Sequence, residues 1–520
     1  PAMLALLLHK CDITVRNNSG KTALNNALEM QHHDCAHLLA NALLNSYQKA
    51  KEQKAYTELI EKNPQRHYAT FNLAHRRDLP SSLERDMPRY RFVRETLLTH
   101  LLENTQNYRT IYHIFLALFI LIFCQTFFTQ FVRTGALLDL SLLMWLFGDT
   151  AVTIVLEVAM LVFSCSCILT HRMLRNRTLP AKVIHTIHIS SIVLLLVVPC
   201  TVLWVRNTPI GSSFLIGCEQ ARIGMKMHAY YVTNRRLMQL KSGEIKAVDI
   251  GSVNDGKPEP FSEEADVAVY PTNLSFDNYL YFLFCPALVY QTKYPTVHTP
   301  YRLLVAFKYF CEFLLCILFA FALFEVHCIP VFKTGCVHDS FQEVVLATFQ
   351  LMVPLTTVYM MGFYGLLHCW MNCHAVLLSF GDKCFYDDWW SSHSYLVYYR
   401  KWNIIVHNWL HRYIFLECMH SLKLSRQLCI LATFLLSALI HELIVMVSLK
   451  FLFPVLGFLF LIPGVVLPLF FDAVFKGRQG NVLFWTMLII GHGILGSMYS
   501  RIWYHLQLGV PVSDFVVLIR

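Results

Sequence analysis

The chain has 520 residues, with 43 Lys and Arg against 34 Asp and Glu, a formal charge of +9. Hydrophobic residues make up 55% and charged residues 15%, and the mean hydropathy is +0.45. Soluble domains carry roughly 25% charge, so this composition excludes a soluble globular protein and a disordered one. The long apolar blocks make it an all-α, polytopic membrane protein. The basic excess lies beside those blocks and forms no basic-aromatic patch, so nucleic acid is not expected as a partner.

Residues 1–45 differ from the rest. Leu6-Leu7-Leu8-His9-Lys10, then Gly20-Lys21-Thr22-Ala23-Leu24, then His37-Leu38-Leu39 resemble an ankyrin repeat, in which such a Gly-x-Thr-Ala-Leu turn opens a helix. One repeat cannot bury its own face, so either further repeats precede Pro1 or the stretch is a fusion or a gene-model artefact. Gly20-Lys21-Thr22 is no phosphate loop, since Val15 stands where that motif needs glycine. No signal peptide is visible, and a chain opening on Pro1 is expected to be part of a longer product. Residues 46–109 read as a polar, helix-prone linker ending in a basic cluster (Arg85, Arg89, Arg91, Arg94, Arg109).

A block of roughly 20 apolar residues crosses a bilayer. The predicted spans are 110–132, 147–170, 187–206, 211–231, 303–326, 343–369, 428–449, 451–471 and 481–500, about nine, followed by a tail over 506–520. The fourth carries Glu219, Arg222 and Lys226, yet the charge pattern requires it. Basic residues mark the cytosolic side. The cluster before 110, the loop with Arg172, Arg175, Arg177 and Lys182, the loop 232–302, the loop 371–427 and the Lys476/Arg478 loop all share that side only with nine crossings. The N-terminus is then cytosolic. The sequons at Asn17, Asn176 and Asn273 are cytosolic too, and none is expected to carry glycan.

Most of the 17 cysteines, Cys124, Cys165, Cys167, Cys311 and Cys316 among them, sit in apolar stretches and act as small hydrophobes. No CxxC pair occurs, and no metal is expected.

A charged group at a helix centre in a bilayer costs about 2.5–3.5 kcal/mol, so such groups are functional candidates. The leading one is His441-Glu442, in mid-span within Ser437-Ala438-Leu439-Ile440-His441-Glu442. The position four after His441 is Val445, which excludes a zinc-protease helix. Ser437 lies one turn before His441 on the same face, and a neutral imidazole there suits a general base. The alternative is a histidine merely hydrogen-bonded between packed helices. Glu442, some 100° around the helix, is expected to pair with another helix. Ahead of this span, 395–415 places Asn403, His407 and His411 every four residues, a polar stripe if helical. Its tyrosines and tryptophans suit the membrane interface.

Phe385-Tyr386-Asp387-Asp388-Trp389-Trp390 resembles the FYxDWWN motif of the membrane-bound O-acyltransferase superfamily, and Asn403 and His441 match that family's Asn and intramembrane His. Tyr108-Arg109-Thr110-Ile111-Tyr112-His113, Glu219-Gln220-Ala221-Arg222 with Met225-Lys226-Met227-His228, Asn278-Tyr279-Leu280-Tyr281-Phe282-Leu283, and His368-Cys369-Trp370-Met371-Asn372 are similar to the sterol O-acyltransferase branch. The resemblance spans roughly 107–505 and implies an acyltransferase domain over 110–505, a helical bundle enclosing a tunnel. Two departures stand out. Ser391 replaces the motif's final Asn, and the C-terminal part lacks the branch's cysteine pair.

By resemblance, the reaction moves a long-chain fatty acyl group from acyl-CoA to the hydroxyl of cholesterol or a related sterol. It yields steryl ester and CoA without metal or other cofactor, since acyl-CoA is itself a substrate. The resemblance implies His441 as general base and Asn403 as the group polarising the thioester carbonyl. Phe385, Tyr386, Asp388, Trp389 and Trp390 would shape the acyl-CoA entrance, with Arg400 and Lys401 offering charge to its phosphates. His407 and Ser437 are auxiliary candidates for positioning. The family further implies the endoplasmic reticulum membrane and a homodimer or homotetramer. The nearest alternatives are a diacylglycerol acyltransferase, which shares the motif, the Asn and the His, and a catalytically silent homologue. An ankyrin-bearing channel would need a charged pore or an Arg-periodic sensor, and neither is present. A palmitoyltransferase motif appears only scrambled, as His32-His33-Asp34-Cys35.

Overall fold

In the computed structural model, residues 93, 95–136, 140–243, 266, 269–334, 340–461 and 477–507 are described. The ankyrin-like stretch, Arg85, Arg89, Arg91, Arg94, the sequon at Asn17 and nearly all of the C-terminal tail lie outside them. The described elements are helices, joined in two places by bridges between extended segments. A short helix, α1 (Leu97–Asn104), leads into α2 (Gln106–Thr134). The Arg109 guanidinium donates to the carbonyls of Leu102 and Glu103 at 2.9 and 2.6 Å, closing the end of α1. After α3 (Leu140–Leu146) come α4 (Thr150–Ser164), α5 (Ser166–Arg175), α6 (Ala181–Val205), α7 (Ile210–Lys241) and the short α8 (Phe276–Phe284).

The second half contains α9 (Arg302–Leu323) and α10 (Phe341–Gly362). Each runs on through a π-helical turn, Phe324–Cys328 and Phe363–Trp370 respectively. They are followed by α11 (Tyr395–Trp402), α12 (Ile404–Leu410), α13 (Arg426–Leu449), α14 (Val455–Leu461) and α15 (Gly477–Gln507).

Seven helices among the described residues are long and apolar enough to cross a membrane: Gln106–Thr134, Thr150–Arg175, Ala181–Val205, Arg302–Lys333, Phe341–Leu377, Arg426–Leu449 and Gly477–Leu506. They coincide with seven of the nine predicted spans. The predicted eighth, 451–471, begins with α14, and its remainder lies outside the described residues.

The predicted fourth forms an unbroken helix of 32 residues, too polar to count as a lipid-facing span. It is polar because it is the bundle's inner helix. Ile216, Ile223, Met227, Tyr230 and Tyr231 on α7 have no exposed surface, and α4, α6 and α13 all pack against it. Lys226 is 2% exposed. Its ammonium donates to the carbonyls of Phe282 and Cys285 at 2.5 and 2.8 Å and lies 4.9 Å above the Phe282 ring. Arg222 pairs with Glu219 at 2.6 Å and donates to the Leu283 carbonyl at 2.7 Å. These cations thus meet the unsatisfied carbonyls and negative dipole end of α8. The helix also runs ten residues past the predicted end at 231, which shortens the loop that follows.

That loop is folded in. Asn273 is 3% exposed, and its amide donates to Asn234 Oδ1 and Tyr290 Oη at 2.6 and 2.9 Å. Its sequon is therefore inaccessible whichever side of the membrane it faces.

Close helix approach needs small residues, since lipid supplies no hydrophobic drive between helices. On α15 a carbon added at Gly493 would collide with the Thr348 carbonyl of α10, whereas one added at Gly491 would meet nothing within 4 Å. Gly493→Ala should therefore lower the melting temperature of the detergent-solubilised protein by several degrees, since overpacking costs about 1–3 kcal/mol. Gly491→Ala, two residues away, should leave it unchanged. Equal melting of the two variants would refute this packing.

Candidate active site

The site begins with three pieces of extended chain. Gly381 N–H donates to Pro295 C=O and Val93 N–H to Gly381 C=O, both at 2.7 Å, while Lys383 N–H returns to Val93 C=O at 3.0 Å. A Cβ at Gly381 would stand 3.0 Å from the Pro295 backbone, so only glycine permits this approach without displacement. The stretch fixes where the following motif enters the fold.

The motif is buried. Phe385, Tyr386 and Trp389 are 1%, 2% and 0% exposed. Tyr386 Oη shares a 2.7 Å hydrogen bond with His368 Nδ1, which also lies 3.3 Å from Thr96 Oγ1, and burial pushes its phenol pKa up. Trp389 is ringed by Phe363, Tyr398, Trp402 and Trp485, with centroids at 5.1, 5.9, 4.8 and 5.6 Å. Trp390 gives its carbonyl to Asn481 Nδ2 and Trp485 Nε1, both at 3.0 Å, and Asn481 also donates to the Ser392 carbonyl at 2.8 Å. Asn481 and Trp485, on α15, carry no sequence signal that would have marked them.

Asp388 is 5% exposed and forms an ion pair with Lys401. The Ser391 hydroxyl reaches the Asp388 carboxylate at 2.6 Å and its carbonyl at 2.8 Å. Serine in place of the motif's asparagine thus still ties this turn together. Lys401 is committed to Asp388, while Arg400 is exposed and nearby. Burial, and then the Asp388 charge, raise the Asp387 pKa.

These contacts converge on Asn403. The segment 395–415 is not one helix: the break falls at Asn403, so the four-residue stripe starts there and runs through α12 into the π-helical turn His411–Phe415, with His407 N–H donating to the Asn403 carbonyl at 2.9 Å. Asn403, at φ −139° and ψ 88°, breaks the chain into α11 and α12. The break is held from both sides, with Asp387 N–H donating to Lys401 C=O at 2.8 Å and Ile404 N–H to Phe385 C=O at 2.9 Å. Asn403 is the N-cap of α12, its Oδ1 accepting from Val406 N–H at 3.1 Å. A cap requires the acceptor oxygen, so the amide orientation is fixed and Nδ2 is left to donate elsewhere.

His407 lies in the same short helix as Asn408 and Trp409. Burial, His411 and Arg400 push its pKa down to about 4, so it is neutral at neutral pH. Its ring stacks on that of His411, 6.2 Å between centroids. The π-helical turn His411–Phe415 then packs on α13.

His441 lies in α13. Its Nδ1 is 2.7 Å from the Ser437 carbonyl oxygen. A carbonyl only accepts, so Nδ1 carries the proton and Nε2 presents a lone pair. Ser437 thus meets His441 through its main-chain carbonyl. Leu439, 58% exposed, lies about 200° around the helix from His441. His441 is nonetheless exposed, and its ring rests 4.7 Å from Phe460 of α14. Glu442 pairs as expected, its carboxylate accepting from Tyr499 Oη and Gly457 N–H at 3.0 Å each.

The membrane-bound O-acyltransferase family matches residues 137–501. The chain is 33% identical to sterol O-acyltransferase 2 of Homo sapiens over 79% of its length and 75% of the relative's. It is 31% identical to sterol O-acyltransferase 1 of Rattus norvegicus, over 80% and 74%, and 33% identical to sterol O-acyltransferase 1 of Chlorocebus aethiops, over 80% and 73%. The chain belongs to the membrane-bound O-acyltransferase family, in its sterol O-acyltransferase branch.

Removing one partner of a buried ion pair costs about 3–5 kcal/mol, because the other charge is left uncompensated. Lys401→Met should therefore melt well below the wild type, and Asp388→Asn with Lys401→Met should recover most of the loss. Thermal melts of the purified variants check this, and a double variant no more stable than Lys401→Met would refute it.

Proposed function

We propose that this protein transfers a long-chain fatty acyl group from acyl-CoA to the hydroxyl of cholesterol or a related sterol. The observation that carries the reading is His441, in a membrane-spanning helix, with Nδ1–H given to the Ser437 carbonyl and Nε2 free to act as a base. Branch membership, and relatives whose names state sterol O-acylation, support the choice of acceptor.

In the reaction, His441 Nε2 takes the sterol hydroxyl proton as the oxygen attacks the thioester carbonyl carbon. The oxyanion that forms is met by Asn403 Nδ2–H, whose direction the helix cap has already set. The C–S bond breaks, the imidazolium returns its proton to the departing thiolate, and CoA and steryl ester leave with His441 neutral again. The buried motif residues Phe385, Tyr386, Asp388, Trp389 and Trp390 serve the acyl-CoA entrance by fixing its wall. Arg400 offers charge to the phosphates, and His407 helps position the substrate from the helix that Asn403 caps.

The sequence charge pattern places the loop 371–427 and the N-terminus in the cytosol, where acyl-CoA is available. Sterol esterification fits the endoplasmic reticulum membrane, and the protein works as a homodimer or homotetramer.

Labelled oleoyl-CoA, offered with sterol and with diacylglycerol separately to microsomes expressing the chain, tests the reading. Steryl ester should form, and His441→Ala should abolish it. Asn403→Asp keeps a cap acceptor but has no N–H to donate, so it should remain folded and lose about 100-fold or more in kcat. Ser437→Ala keeps the carbonyl and should stay within about threefold of wild type, since side-chain changes remote from the transition state cost little. Triacylglycerol in place of steryl ester would move the protein to the diacylglycerol branch. No product from a folded, inserted chain would make it a silent homologue.

A further inference from the structure

Helix α11 carries Tyr395, Tyr398 and Tyr399 in mutual contact. The hydroxyl of Tyr398 is engaged with Tyr359 Oη at 2.5 Å. Tyr399 is held differently, by rings alone. It meets Phe434 of α13 edge-on at 5.1 Å between centroids and stacks on Phe460 of α14 at 5.7 Å. Phe460 in turn lies against the imidazole of His441.

Phe434 and His441 are two helical turns apart on one face of α13. Tyr399 therefore sits over the face that carries the base, with one aromatic ring between them, and four residues before the amide of Asn403. A tyrosine wedged this way normally spends its hydroxyl on a partner. Among the described residues, nothing donates to that of Tyr399 or accepts from it.

We propose that Tyr399 is a further catalytic residue, whose phenol O–H donates a hydrogen bond to the thioester oxygen of bound acyl-CoA beside Asn403 Nδ2–H. The bond strengthens as that oxygen becomes the oxyanion and relaxes when the C–S bond breaks; the phenol keeps its proton throughout. This inference rests on the acyl-transfer reading above. Burial, with Tyr398 and Tyr395 adding to it, holds the phenol pKa well above its ordinary value, so the group is a protonated donor across the neutral range.

Tyr399→Phe keeps every ring contact and removes only the oxygen. In the full-length protein in microsomes, its kcat should fall about 10- to 100-fold, the scale of one lost oxyanion donor, with KM for oleoyl-CoA within about threefold. Replacing Tyr399 by 3,5-difluorotyrosine, whose phenol is more acidic, should bring the alkaline limb of the rate–pH profile to lower pH, a shift that a packing role would not produce. A folded Tyr399→Phe with kcat within threefold of wild type, or a loss confined to KM, would overturn the proposal. If Tyr399→Phe shows no melting transition, the fluorinated protein decides, and an unmoved alkaline limb overturns the proposal. His441→Ala run alongside separates the two levels. A dead His441→Ala with an unaffected Tyr399→Phe sinks this inference alone, whereas no steryl ester from the folded wild-type chain sinks the acyl-transfer reading and this inference with it.

Discussion

Two backbone hydrogen bonds hold Asn403 in place: Asp387 N–H to the Lys401 carbonyl and Ile404 N–H to the Phe385 carbonyl. Between them the chain leaves one helix and enters the next, and the residue at the break is Asn403. A residue inside a helix gives its backbone to the helix and points its side chain wherever the helix rotates it. A residue at a clamped break has its position set by the partner strand instead, and here its own carboxamide oxygen starts the second helix. The buried tryptophans and the Asp388–Lys401 pair brace that clamp. Trp389 fills the space beneath it, and the ion pair ties the motif to the end of α11. The motif thereby decides where an amide N–H stands.

The charges of α7 follow the same logic at the scale of the bundle. Three ionic side chains in an otherwise apolar segment would be prohibitive facing lipid. Around the C-terminus of α8, Lys226 and Arg222 satisfy carbonyls that would be stranded without water, and Glu219 partners Arg222. The cost of placing the charges is met by the cost of the carbonyls they cover. This lets a short helix and its folded loop end inside the protein, where Tyr290, Asn278 and Asn273 are linked by hydrogen bonds.

Much of this was legible in the sequence, for reasons of physical range. Spans are set by local composition, and seven of nine predicted ones appear as long apolar helices. The fourth was legible through the charge asymmetry of the loops around it and was ambiguous by composition, because its charges answer partners some 60 residues away. His441 and Asn403 were visible as a titratable group in an apolar span and a motif amide. The break at Asn403 was not, since a four-residue polar spacing reads equally well as one continuous helix. The decisive bonds come from Phe385 and Asp387, across a tight turn. That Ser437 meets His441 through its carbonyl was not legible, because side-chain chemistry is written in the sequence and main-chain carbonyls are not. Asn481 and Trp485 were illegible altogether, as their role depends on which carbonyls the motif turns toward α15.

Ser391 shows how far a departure from a motif can be absorbed. An asparagine at that point supplies both a donor and an acceptor, whereas serine supplies one hydroxyl on a shorter arm. The turn following Asp388 brings that hydroxyl within 2.6 Å of the carboxylate, so the shorter arm suffices. With Lys401 on one carboxylate oxygen and Ser391 on the other, Asp388 has a partner for each. What the substitution gives up is the amide's second reach, and Asn481 supplies an amide at the same turn from α15, donating to the carbonyls of Trp390 and Ser392. The requirement at this corner is therefore a set of satisfied polar groups around a fixed carboxylate, and the chain meets it with residues from two distant segments.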